Sequence, residues 1–155
     1  MKKYIVFLLL LIVSPLAVSV HAKSLSEQCE DITVVNTIDI DQSMLKLAVF
    51  PSNDSPIQLT PIADLLDKVQ IISTKASTPA RDRVMALTDK YLESAPKFKR
   101  AMRTKDDTTL LVLYSRALEK DMNEFLLIVE DKTDLTIVLL AGNITMEEIG
   151  SLTSL

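Results

Sequence analysis

The chain has 155 residues, 48% apolar and 25% charged, with 21 acidic against 17 basic residues and a net charge of −4. That length suits one domain, and the acidic balance excludes a general binder of nucleic acid or of anionic membranes. A single cysteine excludes an intrachain disulfide, and the single histidine, His21, sits too near the N-terminus to belong to a folded core.

Met1-Lys2-Lys3, the apolar run Tyr4 to Val13 and the small residues around Val20-His21-Ala22 form the three parts of a secretory signal, with cleavage after Ala22. The apolar run is well short of the ~20 residues that span a bilayer as a helix, and Pro15 interrupts its continuation. The expectation is an exported protein, periplasmic or extracellular after cleavage, with no stable membrane span. Its organisation reads as a signal peptide over 1–22, a loose polar segment over 23–30 and one domain over 31–155. Cys29 reads as a free thiol. Ser26-Glu27-Gln28 lacks the small apolar run that precedes a lipid-acceptor cysteine.

Ile32 to Ile40 is rich in β-branched residues and predicts a strand. Asp41 caps a helix carrying Met44, Leu45, Leu47 and Ala48, and Pro51 to Pro56 is a loop. Thr60-Pro61 opens a short helix through Ile62, Leu65 and Leu66, followed by a strand over Val69 to Ser73. Ala80 to Ala95 predicts the longest helix, capped by the Thr78 hydroxyl, with Val84, Leu87, Tyr91 and Ala95 as its buried stripe and Pro96 as its stop.

Four strands follow in two hairpins. Phe98–Thr104 and Leu110–Ser115 flank Lys105-Asp106-Asp107-Thr108-Thr109. Phe125–Val129 and Leu135–Ala141 flank Glu130-Asp131-Lys132-Thr133-Asp134. Gly142 ends the last strand, and Thr145 caps a final helix with Met146, Ile149 and Leu152. The expected fold is α+β: an antiparallel sheet of about six strands with helices packed mainly on one face. Leu110–Tyr114, Phe125–Val129 and Leu135–Ala141 carry no charge and alternate weakly. An antiparallel strand with one wet face should alternate. Both faces are therefore covered, by helices or by a partner. Leu126, Ile128, Val138 and Leu140 are the candidate interaction face. Leu127, Val129, Ile137 and Leu139 are expected in the core.

Three segments, Leu135–Gly150 (LTIVLLAGNITMEEIG), Lys68–Thr74 (KVQIIST) and Glu124–Asp131 (EFLLIVED), together with the order of elements, resemble the bacterial domain of unknown function family number 4252. The resemblance runs from about Asp31 to Leu152. It implies an exported envelope protein. Many members of that family carry a lipid-acceptor cysteine, from which Cys29 departs, and Lys97–Met102 departs where the family has a tyrosine and an acidic residue. The family has no established catalytic residues to carry over.

With His21 removed by processing, Ser-His-Asp and Cys-His catalysis and the usual zinc sites are excluded. Two glycines, Gly142 and Gly150, make no phosphate-binding loop. Asp31, Asp39 and Asp41 alternate along the first strand but lack a Gly-bearing calcium loop, so they read as solvated acids. Asn53-Asp54-Ser55 and Asn143-Ile144-Thr145 match the glycosylation triplet without functional weight in a bacterial-type chain. No catalytic residue, metal site or cofactor is expected. Lys97, Lys99, Arg103 and Lys105 would share one face of a strand, either as edge protection or as a candidate face for an anionic ligand. The expected function is a non-enzymatic protein–protein interaction module whose partner is an envelope protein or a second copy. The alternative is a small carboxylate- and lysine-dependent hydrolase or lyase.

One outcome follows from the first 22 residues. Intact mass of the exported protein should begin at Lys23 with an unmodified Cys29; a mass that includes Met1, or a diacylglyceryl group on Cys29, would contradict the reading.

Overall fold

The computed structural model describes residues 23–46, 60–94 and 96–153. The signal-peptide segment, the Leu47–Ala48 part of the first predicted helix and the Pro51–Pro56 loop lie outside them. Five of the described elements precede the longest helix. These are α1 (Leu25–Cys29), β1 (Asn36–Asp41), α2 (Gln42–Leu45), a 3₁₀ turn (Thr60–Leu65) and β2 (Leu66–Lys75), followed by α3 (Pro79–Leu92). The C-terminal half gives β3 (Lys99–Lys105), β4 (Leu110–Ala117), β5 (Asn123–Glu130), β6 (Asp134–Gly142) and α4 (Met146–Thr153). The class is α+β, and the six strands form one antiparallel sheet in the order β1-β2-β6-β5-β4-β3.

Register explains the missing alternation. Leu126 pairs with Leu139 and Ile128 with Ile137, while Phe125 pairs with Leu140 and Leu127 with Val138. Directly paired residues share a face. The first set packs with Leu25 and Cys29 of α1 and Ala80, Val84 and Leu92 of α3. The second packs with Leu45 of α2, Ile62 of the 3₁₀ turn, and Ile144 and Ile149 at α4. The helices thus divide between the faces: the longest lies on one, and three short elements close the other. Leu127, Ile137 and Leu139 are buried, and Val129 is half-buried. Among the described residues no helix is long and apolar enough to cross a membrane.

Several local expectations are corrected. Residues 23–30 are not loose. Ser24 and Glu27 form a reciprocal capping box that starts α1, and Leu25 and Cys29 are wholly buried. The first strand starts at Asn36 because residues 30–35 turn, with Val34 held at φ 64°. That value is costly for a β-branched residue. The Thr78 hydroxyl does not cap α3; it donates to the Lys75 carbonyl at 2.9 Å, leaving Pro79 to open the helix. α3 stops at Leu92, a turn before Pro96, and the Phe98 amide then donates to the Leu92 carbonyl at 3.2 Å. Its deepest stripe is Ala80, Val84, Thr88 and Leu92, with Leu87 and Tyr91 flanking it.

Other caps and turns match the sequence. Asp41 accepts from the Met44 amide at 3.0 Å at the start of α2. Thr145 and Glu148 exchange bonds at the start of α4. The β3–β4 and β5–β6 turns repeat one device: Asp106 accepts from the amides of Thr108 and Thr109, and Asp131 from those of Thr133 and Asp134. These amides hold both carboxyls below the usual range. Gly142 is required by close approach, since a Cβ there would lie 2.2 Å from the Leu65 carbonyl oxygen.

Truncating Leu139, 3% exposed at the centre of the long-helix face, to alanine should destabilise the fold by roughly 2–5 kcal/mol in denaturant unfolding. A Leu139→Ala protein that unfolds like the parent would contradict the double-faced core.

Candidate functional site

The fold separates the residues of the candidate interaction face. Leu126 and Ile128 lie under α1 and α3, whereas Val138 and Leu140 lie on the opposite face under the short helices. All four are at most 3% exposed. They belong to the two cores and are closed to a partner in this fold.

The basic run is also divided. Lys97 precedes β3 and pairs with Glu93 at 2.6 Å. The β3–β4 register shifts between Arg100 and Met102, so Ala101 is an extra residue and the alternation slips by one. Lys99 pairs with Ser115, whose partner Phe125 lies on the short-helix face. Arg100, Arg103 and Lys105 pair with Tyr114, Val112 and Leu110, all on the long-helix face. The bulge thus removes Lys99 from the expected group and brings Arg100 in. Lys99, Arg100, Arg103 and Lys105 are exposed, and among the described residues none of them forms an ion pair. They line one outer edge of the sheet.

The other edge, β1, carries the opposite sign. Asp39 and Asp41 pair with Gln70 and Lys68 and so lie on the long-helix face. Beside them Glu27 and Glu30, together with Lys68, line an open cleft of about 260 Å³. Asp39 is anchored: it accepts from Ser26 Oγ at 2.5 Å and from the Gln70 side-chain amide. Gln70 Oε1 is buried and has no hydrogen-bond partner among the described residues. On the short-helix face Ile40 is half-buried and Ile38 is 51% exposed. Asp31 is exposed, and among the described residues no three His, Cys, Asp or Glu side chains gather at metal-binding spacing.

One set of ionisable groups was not legible in the sequence. Glu124 is 5% exposed, the only buried carboxylate among the described residues. It pairs across the β4–β5 hairpin with Arg116. Arg116 Nε donates to Glu124 Oε2 at 2.5 Å, and Tyr91 Oη donates to Oε1 at 2.8 Å. The guanidinium also reaches Tyr91 Oη, Ser94 Oγ and the Pro96 carbonyl, and it lies 4.2 Å from the centre of the Phe98 ring. Burial, and then the charge of Glu124, push the Tyr91 hydroxyl well above its ordinary pKa. Both oxygens of Glu124 are occupied and its charge is matched, an arrangement that clamps the end of α3 to the sheet. The signal available in sequence was the hairpin alone, which sets Arg116 across from Glu124. The Cys29 thiol is buried, and burial raises its pKa, which suppresses the reactive thiolate.

Comparison with known proteins gives one family match: the model of the domain of unknown function DUF4252 covers residues 29–152. No curated protein matches. Among solved structures, a Pseudomonas aeruginosa protein of unknown function, PA94, is 14% identical over 76% of this chain and 72% of its own, with a TM-score of 0.33. That likeness is too slight to define a shared fold.

The clamp generates a pH effect of known sign. A tyrosine raised in the folded state binds its proton more tightly there, so its stabilising contribution is complete below pH ~10 and falls as pH rises further. Melting temperatures measured from pH 8 to 11 should fall more steeply for the parent than for Tyr91→Phe; parallel curves would show that Tyr91 is not held protonated by this site.

Proposed function

The chain belongs to the DUF4252 family of domains of unknown function, and from that premise we propose that it is an exported, non-enzymatic envelope protein that binds another protein along the edge of its sheet. The expectation of export comes from the charged, apolar and small-residue order of residues 1–22 and from the envelope character that the family resemblance implies. The non-enzymatic reading is supported by the state of the interior charges. Glu124, Arg116 and Tyr91 are bonded to one another, Glu130 is held by Arg81, and among the described residues the other carboxylates are exposed or half-buried.

The observation that carries the binding role is β3. Among the described residues its outer backbone groups have no strand beside them, and four cations without an ion-pair partner project from it. A strand edge supplies hydrogen bonds to any extended segment, and side chains along that edge select the partner. The charges on β3 select for acidic partners. They also oppose pairing of β3 with another β3, because like charges directly opposite one another are destabilising.

An Arg100→Glu/Arg103→Glu variant tests this, because both side chains are exposed and neither forms an ion pair among the described residues. It should melt like the parent and fail to retain proteins that the parent captures, through chemical cross-linking, from envelope extracts. Capture of the same proteins in the same amounts by both would contradict an edge-binding role.

A further inference from the structure

Building on the edge-binding reading, we propose that the β3 edge is filled by the β1 edge of a second copy of this chain, so that molecules join head to tail and the sheet continues from one to the next. Three observations meet here. First, each of the six strands is antiparallel to its neighbour, so β1 and β3 at the two ends run in opposite directions. A copy shifted along the sheet therefore presents β3 to β1 in antiparallel sense, with the long-helix faces of both molecules on the same side.

Second, the two edges match face by face. On the long-helix side β1 offers Asp39 and Asp41, and β3 offers Arg100, Arg103 and Lys105. On the other side β1 offers Ile38 and Ile40, and β3 offers Met102 and Thr104. Third, one register satisfies both sides. With Asp39 opposite Arg103, Ile40 faces Met102, Ile38 faces Thr104 and Thr37 faces Lys105. The extra residue at Ala101 then brings Arg100, not Ala101, opposite Asp41. The bulge that breaks the basic stripe within one molecule thus restores the charge pairing between two. Copies joined β1 to β1 would set carboxylates against carboxylates, and copies joined β3 to β3 would set cations against cations. Opposite-edge pairing is the arrangement that both charge patterns favour. Because the two contacting surfaces differ, the contact is heterologous and leads to chains or closed rings, not to an isolated two-fold dimer.

The test is a pair of cysteines placed at facing positions, Ile38→Cys with Thr104→Cys. Within one molecule these sit five strand spacings apart, roughly 24 Å, beyond the ~7 Å that a disulfide tolerates between Cα atoms. Cys29 is buried and stands aside. Mild oxidation of the purified double variant at low salt should give a reducible ladder of dimers, trimers and higher species. Adding Arg103→Glu, or salt at about 0.5 M, should lower the cross-linked yield on the order of tenfold, while thermal melts show the variants folded. A product that stays monomeric would overturn head-to-tail pairing. So would a ladder indifferent to Arg103 and to salt, or equal cross-linking by Ile38→Cys alone. If the purified protein stays monomeric while Arg100→Glu/Arg103→Glu still abolishes capture of envelope proteins, the edge reading stands and the second copy is ruled out as the occupant.

Discussion

Two adjacent central strands that are apolar on both faces, β5 and β6, constrain everything else in this molecule. Their eight central side chains divide evenly, four to each side of the sheet, and are at most 5% exposed. Each contributes about 1.5–3 kcal/mol when buried, so neither face can be left wet. A long helix covers one face. The other has no comparable helix among the described residues, and three short elements pack on it together: α2, the 3₁₀ turn and α4. Gly142 cannot carry a side chain because it lies against the junction of the 3₁₀ turn with β2, where the β2–β6 register shifts. A sheet closed on both faces leaves its two edges as the open hydrogen-bonding surface, and those edges carry opposite charge.

The charges of the molecule fall into two kinds that behave differently. Arg116, Glu124 and Tyr91 are enclosed between α3 and the sheet, where desolvation opposes them and only mutual pairing makes them tolerable. Removing Arg116 or Glu124 would leave the other buried without its counter-charge, so the set acts as a fixed joint. The β3 cations are exposed and do little for stability, because water and salt screen them. Charges that contribute little to folding are free to govern association.

Much of the fold was legible in the sequence, and the exceptions have physical causes. The charge-free runs bounded by Asp-x-Thr turns marked β4, β5 and β6, and the absence of alternation announced two covered faces. The sides on which Leu126, Ile128, Val138 and Leu140 fall were not legible from alternation, because they depend on the hairpin. Glu130 pairs with Leu135 around a four-residue turn, so even positions of β5 face odd positions of β6, and the four residues split between the cores. The five-residue helix α1 is too short to show periodicity. Its one local sign was Ser24 with Glu27, and tertiary burial of Leu25 and Cys29 holds it. Nothing in Lys99–Lys105 marks Ala101 as a bulge, and that one residue decides which cations stand together. The unusual backbone of Val34, which delays β1, leaves no trace in residue type.

The central claim is that both faces of the sheet are closed from within and that association takes place at its edges. Amide hydrogen exchange, read residue by residue in dilute and in concentrated low-salt protein, tests it most directly. The account predicts that the amides of β5 and β6 are the most protected at both concentrations, and that the outward-pointing amides of β1 and β3 exchange rapidly when dilute and slow together on concentration. Fast exchange in β5 or β6 in the dilute protein, or protection gained on concentration by α2, α3 or α4 and not by the two edge strands, would contradict it.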